Sequence, residues 1–372
     1  MSDSPTSPLH DQLARIEKAY YYEPGKMAEV HAQGGTVKAS RPEKPTEPLC
    51  LVSGNGNRPL AEAVALLLRS HIHHTEVTQY ANGEVNVRIN EPVLGKDVFI
   101  IQSTTGNRVV DVNTALMELL ILIRKMRLSN AKSVSVIVPY FAYARQDRRT
   151  ELRGPISASA VAKMIVKMGA DRVTTLDLHS NQIQGFFENI PLDNMTMSHE
   201  FAQHIRSCAW FKPEETVVVS PDAGGVERAR IVADMLGVGG IVTIVKRRIA
   251  AGKVETMQTV GEVKGLSCII VDDMIDTGGT LVKACELLKD LGAVRVCACC
   301  THGILTDPCT ERINKCTALE ELVVSDSIPQ EQNQRNISKL KVLTIAPLIA
   351  AVIDKYTHFE SVSSLFSGPL KK

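Results

Sequence analysis

Cys268-Ile-Ile-Val-Asp-Asp-Met-Ile-Asp-Thr-Gly-Gly-Thr280 is the stretch that decides how this chain is read. An apolar run enters two adjacent carboxylates, a short Gly/Thr loop follows, and a helical pattern covers 281–291. The run predicts a buried strand of a parallel sheet. Its loop then lies at the carboxyl end of that strand, where open α/β sheets bind ligands. Backbone N–H groups from Asp276 to Thr280, with the positive end of the next helix, make a cradle for phosphate. Gly278 and Gly279 let the backbone approach, and the hydroxyls of Thr277 and Thr280 add donors. Asp272 and Asp273 can accept hydrogen bonds from a pair of vicinal hydroxyls. A phosphate at one end and a diol at the other describe a ribose 5-phosphate. A helix N-cap on a polar sheet rim is the plainer reading, and it leaves the Gly-Gly-Thr loop unexplained.

Composition narrows the classes. The chain has 372 residues, 44% hydrophobic and 22% charged, enough apolar material for two ordinary domains. Lys+Arg 42 against Asp+Glu 41 leaves no basic surplus for a nucleic-acid partner. No apolar run approaches the roughly 20 residues that span a bilayer. The nine cysteines have no regular spacing, and Cys297, Cys299 and Cys300 share a strand-like run, a poor geometry for one metal. They read as reduced, buried thiols. Residues 1–47 are rich in Ser, Pro and Gly, with little periodicity beyond a short helix at 11–20, and read as a flexible N-terminal extension. Its acidic residues argue against a mitochondrial transit peptide, so a cytoplasmic protein is expected.

From residue 49 short apolar strands alternate with amphipathic helices. Strands are expected at 49–53, 97–103, 133–139 and 172–179, with helices at 59–70, 112–128 and 156–168. After a break near 189–197 the pattern resumes with strands at 216–221, 241–246, 267–273 and 294–301 and helices at 225–236 and 280–291. Such alternation implies mostly parallel sheets flanked by helices. The division is an N-terminal α/β domain at 48–196 and a C-terminal one at 197–354, with the tail at 355–368 returning to the first.

Other strand ends carry chemistry. The run Tyr140-Phe-Ala-Tyr-Ala-Arg-Gln-Asp-Arg-Arg149 leaves a strand, and its aromatics with Arg145, Arg148, Arg149 and Arg153 suit a nucleoside triphosphate. Taken alone, it reads equally well as a solvated basic loop. Asp177 and His179 are placed on one face of their strand by period two, and Asp222 precedes a glycine turn and helix. His179 and Asp222 can share one Mg²⁺, although His is an unusual ligand for it. A lone His at a strand end is otherwise structural. Lys246 and Arg248 lead into 249–259, a hairpin or flap whose cations can neutralise charge on a transferring phosphoryl group. Tyr80-Ala-Asn-Gly-Glu84 joins two strands as a hairpin turn.

In this order the segments resemble class I ribose-phosphate diphosphokinases (phosphoribosyl pyrophosphate synthetases) over about 48–368. The specific marks are Tyr143-Ala-Arg-Gln-Asp147, Asp177-Leu-His179, Gln182-Ile-Gln-Gly-Phe-Phe187, Ser220-Pro-Asp-Ala-Gly-Gly225, the 271–280 loop and Thr301-His-Gly303. The resemblance implies two phosphoribosyltransferase-like α/β domains, and dimers assembling to a hexamer. It implies transfer of the diphosphoryl group of Mg-ATP to ribose 5-phosphate. It gives ribose 5-phosphate to Asp272, Asp273, Asp276, Thr277, Gly278, Gly279 and Thr280, and magnesium to His179 and Asp222. ATP falls to Tyr80, Asn82 and Glu84 across a dimer partner, and to Arg145, Gln146, Asp147 and His179; Lys246 and Arg248 are catalytic. A regulatory site for phosphate, an activator, and ADP would draw on Arg153, Ser361, Ser363 and Phe366. Two alternatives stand beside it, an ordinary phosphoribosyltransferase and a non-catalytic synthetase-associated subunit. The segment 104–114 is longer than in class I enzymes and is similar to the silent associated proteins, yet the Arg-Gln-Asp run and the acidic loop are both kept. Where the resemblance calls for a serine and an arginine, this chain has Pro92 and Leu94, and leucine cannot grip phosphate. Activation by inorganic phosphate and inhibition by ADP are therefore expected to be weak. Turnover measured across a phosphate series should change little, and strong dependence on phosphate would contradict this.

Overall fold

The computed structural model describes residues 49–247 and 256–366. The extension at 1–47 with its helix at 11–20, most of the flap, and Arg248 lie outside the described residues, as do the side chains of Lys246 and Phe366. Strands β1 (Cys50–Ser53), β4 (Asp97–Ile101), β5 (Ser133–Val138), β6 (Arg172–Leu176) and β7 (Leu192–Met195) form one parallel sheet in the order β1-β4-β5-β6-β7. Between β1 and β4 stands an antiparallel hairpin of β2 (Thr75–Gln79) and β3 (Val85–Ile89). The second sheet has the order β10-β9-β8-β11-β12-β13-β14. Its members are β8 (Thr216–Ser220), β9 (Ile241–Arg247), β10 (Thr256–Val260), β11 (Ser267–Ile275), β12 (Arg295–Gly303), β13 (Glu321–Ser325) and β14 (Leu340–Leu343). Only the edge strand β10 runs antiparallel, so the α/β reading holds for both sheets.

Helices flank the sheets as the 3.6-residue period requires. Around the first lie α1 (Arg58–Leu67), α2 (Val112–Leu128) and α3 (Ser157–Met168); α4 (Ser198–Ser207) leads into the second. There α5 (Val226–Leu236), α6 (Gly279–Asp290), α7 (Cys309–Lys315) and α8 (Glu331–Asn336) connect the strands, before α9 (Ala346–Thr357) and α10 (Ser363–Phe366). A Pro at the second position of α1 and the Asn57 side chain accepting from the Leu60 N–H fix where that helix starts. Helix α9 turns back to the first sheet. Its Ile349 and Ile353 are fully buried in a core shared with Leu60 and Val64 of α1, each contributing about 1.5–3 kcal/mol. The Tyr356 hydroxyl of α9 donates to Asp193 at 2.5 Å and lies 3.0 Å from the Thr174 hydroxyl.

One expectation fails. The strand ending in Asp177 and His179 stops at Leu176, because Asp177 takes the left-handed conformation at φ 36°. The two side chains therefore do not share a strand face. The reason is the partner set of the Asp177 carboxylate, which accepts from the Met197 N–H at 3.0 Å and from the Thr301 hydroxyl at 2.5 Å. Thr301 belongs to β12, so this buried bond joins the two sheets. Beside it His302 is fully buried, and burial holds its imidazole neutral. Its Nε2 faces the Leu176 and Asp177 carbonyls at 3.0 and 3.3 Å, which only an N–H satisfies. Its Nδ1 then accepts from Ser327, 2.9 Å away. Ser103, at the end of the first sheet, donates to the Ser327 carbonyl at 2.6 Å. Thr301→Val leaves the buried Asp177 carboxylate short of a donor. It should cost about 1.5–3 kcal/mol in urea denaturation at neutral pH, and an unchanged midpoint would contradict the seam's importance.

Candidate active site

The carboxyl ends of β8 and β11 and the middle of β12 meet the loops after β5 and β6 in a cleft of ≈ 290 Å³. Arg145 and His179 line it from the first sheet, Asp222, Asp272, Asp273 and residues 276–280 from the second. Strand β11 runs past the two aspartates to Ile275, so consecutive side chains face opposite ways. The buried Asp273 turns to the first sheet, with Oδ2 2.7 Å from His179 Nδ1 and Oδ1 accepting from Arg228 at 3.4 Å. Asp272 is half-buried, accepts the Asp273 N–H at 2.9 Å, and lies 3.9 Å from Arg228.

This arrangement divides charge unequally. Burial, and then the Asp273 carboxylate, push Asp272 well above the usual carboxyl range. Burial pushes Asp273 upward too, but the His179 hydrogen bond and Arg228 outweigh it and hold the group down at about 2. The hydrogen bond that His179 donates to the Asp273 carboxylate raises the imidazole above its ordinary value. Asp273 is thus a fixed anion that orients an imidazole, while Asp272 is the carboxyl facing the cleft.

The loop after β11 is built for close backbone approach. Gly278 sits at φ 73°, and a Cβ there would meet the Cys309 sulfur at 2.8 Å, so only glycine fits without displacing α7. Arg312 of α7 donates to the Thr277 carbonyl at 2.9 Å and pins the loop from behind. Helix α6 starts at Gly279 with no side chain capping it, so its first amides stay available to a ligand. Arg145 reaches across from the first sheet to Asp276 at 2.8 Å.

Other expected residues stand elsewhere. Gln146 lies outside the cleft lining and accepts from the Ser157 hydroxyl at 2.5 Å. The charge of Asp147 is felt by His179. Tyr80, Asn82 and Glu84 form the exposed hairpin tip between β2 and β3, closed by the Tyr80 N–H to the Glu84 carbonyl at 2.8 Å. Lys246 has its backbone in β9, paired with Met257 of β10. Arg153, Ser361 and Ser363 are exposed, and the Ser361 hydroxyl donates to that of Ser363 at 3.1 Å. Neither Arg228 nor Arg312 figured in the reading of the sequence. Arg228 had a signal, because an arginine in the first turn of a helix opposes the helix dipole and calls for a local anion. Arg312, 35 residues from Thr277 on a seven-residue helix, had none.

Two mostly parallel sheets whose strand ends share one acidic cleft define an α/β protein with its candidate site at the sheet edges. Residues 49–169 match the N-terminal domain of ribose phosphate pyrophosphokinase, and 243–367 match the phosphoribosyl synthetase-associated domain. The ribose-phosphate pyrophosphokinase of Campylobacter jejuni is 48% identical over 85% of this chain and 98% of its own length. That of Hyphomonas neptunium is 45% identical over 85% and 99%. The crystal structure of phosphoribosylpyrophosphate synthetase from Mycobacterium smegmatis superposes with a TM-score of 0.78 at 39% identity, covering 84% of this chain and all of that one. The chain belongs to the ribose-phosphate pyrophosphokinase family, enzymes that transfer diphosphate groups.

The His179–Asp273 pair makes a pH prediction. Asp273 is lowered and His179 raised, so the pair stabilises the fold between the unfolded values of the two groups. That contribution fades as pH falls toward about 2, and again as pH rises through the folded value of His179. Asp273→Asn should lower the His179 pKa in an NMR titration. An unmoved titration would mean that Asp273 does not set it.

Proposed function

We propose that the protein transfers the β,γ-diphosphoryl group of Mg-ATP to the anomeric hydroxyl of ribose 5-phosphate, giving 5-phosphoribosyl 1-diphosphate and AMP. The observation that carries this reading is one cleft uniting the glycine loop, the Asp272 carboxyl and the Arg145 and His179 side chains. The sugar's phosphate sits against the amides of residues 277–280, with Thr277 and Thr280 hydroxyls as further donors. Asp272 takes the ring hydroxyls, and Asp273 serves chiefly by holding His179. Arg145, with Gln146 and Asp147 on the same loop, meets the nucleotide phosphates. Tyr80, Asn82 and Glu84 stand outside the cleft, as they would if they served the adenine of a second copy in a homodimer that assembles further to a hexamer.

The donor set fits magnesium. Asp222 and His179 line the cleft beside Asp272, and crowded carboxylates suit a hard divalent cation. Asp222 Oδ1 accepts the Gly225 N–H at 2.9 Å, which fixes that carboxylate. When bound, the ion supplies positive charge to the diphosphoryl oxygens. The chain's own part is positioning: the loop and Asp272 hold the sugar so that its anomeric oxygen meets the β-phosphorus in line. Lys246, near the end of β9, and Arg248, which follows that strand in sequence, neutralise the charge that develops. The extension at 1–47 is peripheral to this chemistry, and the two domains divide at about 196. Purified protein given ATP and ribose 5-phosphate should form AMP with no base added, which a phosphoribosyltransferase would not do. Lys246→Ala should lower kcat by about 100-fold or more and leave ribose 5-phosphate binding nearly unchanged. Equal loss of binding would refute the role given to Lys246.

A further inference from the structure

Outside the cleft lining, at the base of the β2–β3 hairpin, three side chains from two chain segments converge. His71 and His73 lie one residue apart in the extended segment before β2, which puts them on one side. Their rings stack with centroids 5.2 Å apart. Glu91 follows β3, with Oε2 3.4 Å from His71 Nε2 and 3.6 Å from His73 Nε2. All three ligand atoms fall within 4.8 Å of one another. Ligands about 2.1 Å from a tetrahedral ion stand about 3.4 Å apart, so two of the three edges already match such a site.

The group is also electronically prepared. His73 is buried, and burial lowers its pKa, leaving the imidazole neutral with a lone pair to give. Its Nδ1 has no partner among the described residues, so with Nε2 as ligand the ring carries its N–H at Nδ1 without an acceptor. The Glu91 carboxyl is held below its ordinary value by the His74 N–H, which donates to its other oxygen at 2.9 Å. That bond also aims Oε2 at the histidines, as an outer contact orients a ligand. The Lys96 ammonium stands 3.3 Å from His73 Nε2 and competes with an ion for that nitrogen. An ion at the centre displaces it.

We propose that His71, His73 and Glu91 form a site for a divalent transition-metal ion of the zinc class. Two imidazoles and one carboxylate are borderline donors that favour zinc or cobalt over magnesium. The ion ties the segment entering β2 to the residue leaving β3, and so clamps both ends of the hairpin that carries Tyr80, Asn82 and Glu84. Nothing in the site depends on the cleft or on its chemistry.

A second group, His204, Cys208 and Glu321, has the same number of possible ligands, which the test must separate. Full-length protein is titrated with Co²⁺ in excess Mg²⁺, and the visible d–d absorption is read. One equivalent should bind. His71→Ala, at an exposed position, should keep its circular dichroism and weaken binding by more than the roughly 10–100-fold typical of losing an outer contact. Glu91→Gln should do the same. Absent absorption, absorption unchanged in both variants, or a signal carried wholly by a thiolate band that Cys208→Ser removes would each overturn the proposal.

Discussion

The site exists because a buried seam of hydrogen bonds locks the end of one sheet to the end of another. Thr301 donates to Asp177, His302 donates to the Leu176 carbonyl, and Ser103 donates to the Ser327 carbonyl. Each partner sits in a low-dielectric interior where an unpaired polar group is costly, so the seam has one well-satisfied arrangement. Two residues beyond Asp177 the chain delivers His179 to Asp273, and from the same sheet Arg145 reaches Asp276. Were the sheets to slide, both cross-sheet pairs would break together, and the cleft would lose one wall.

Charge in the cleft follows from burial and pairing rather than from the number of acids. Of two adjacent aspartates, one is paired on both oxygens and stays ionised, while its neighbour is pushed toward the neutral form. Two carboxylates in one strand therefore serve different ends, because the strand points them in opposite directions. The glycine loop completes the division by offering amides instead of side-chain charge. A sugar phosphate bound there would meet amides at its phosphate and a carboxyl at its ring hydroxyls.

Much of this was legible in the residues. The strand and loop at 268–280 announce themselves because an apolar run, two acids and a Gly-Gly-Thr turn leave few structural options. The alternation of strands and helices gave the α/β class for the same reason. Strand β7, Leu-Asp-Asn-Met, was missed: it lies on an edge and lacks the β-branched residues that mark a strand. The reach of β6 was overread, since nothing local reveals that Asp177 bonds a threonine 124 residues away. The same limit hid Arg312, whose task is set by a tertiary contact. The His71, His73 and Glu91 group was likewise invisible, because its members join only when the hairpin closes.

The central claim is that main-chain amides after β11 grip a phosphate while Asp272 holds the sugar. Calorimetric titration of ribose 5-phosphate beside unphosphorylated ribose tests it most directly, on the wild type and on Gly278→Ala. The account predicts that the phosphorylated sugar binds at least about 100-fold tighter, and that the added methyl abolishes this preference, since charge-assisted contacts to several amides are lost together. Equal affinity for the two sugars, or a preference that survives in Gly278→Ala, would contradict it.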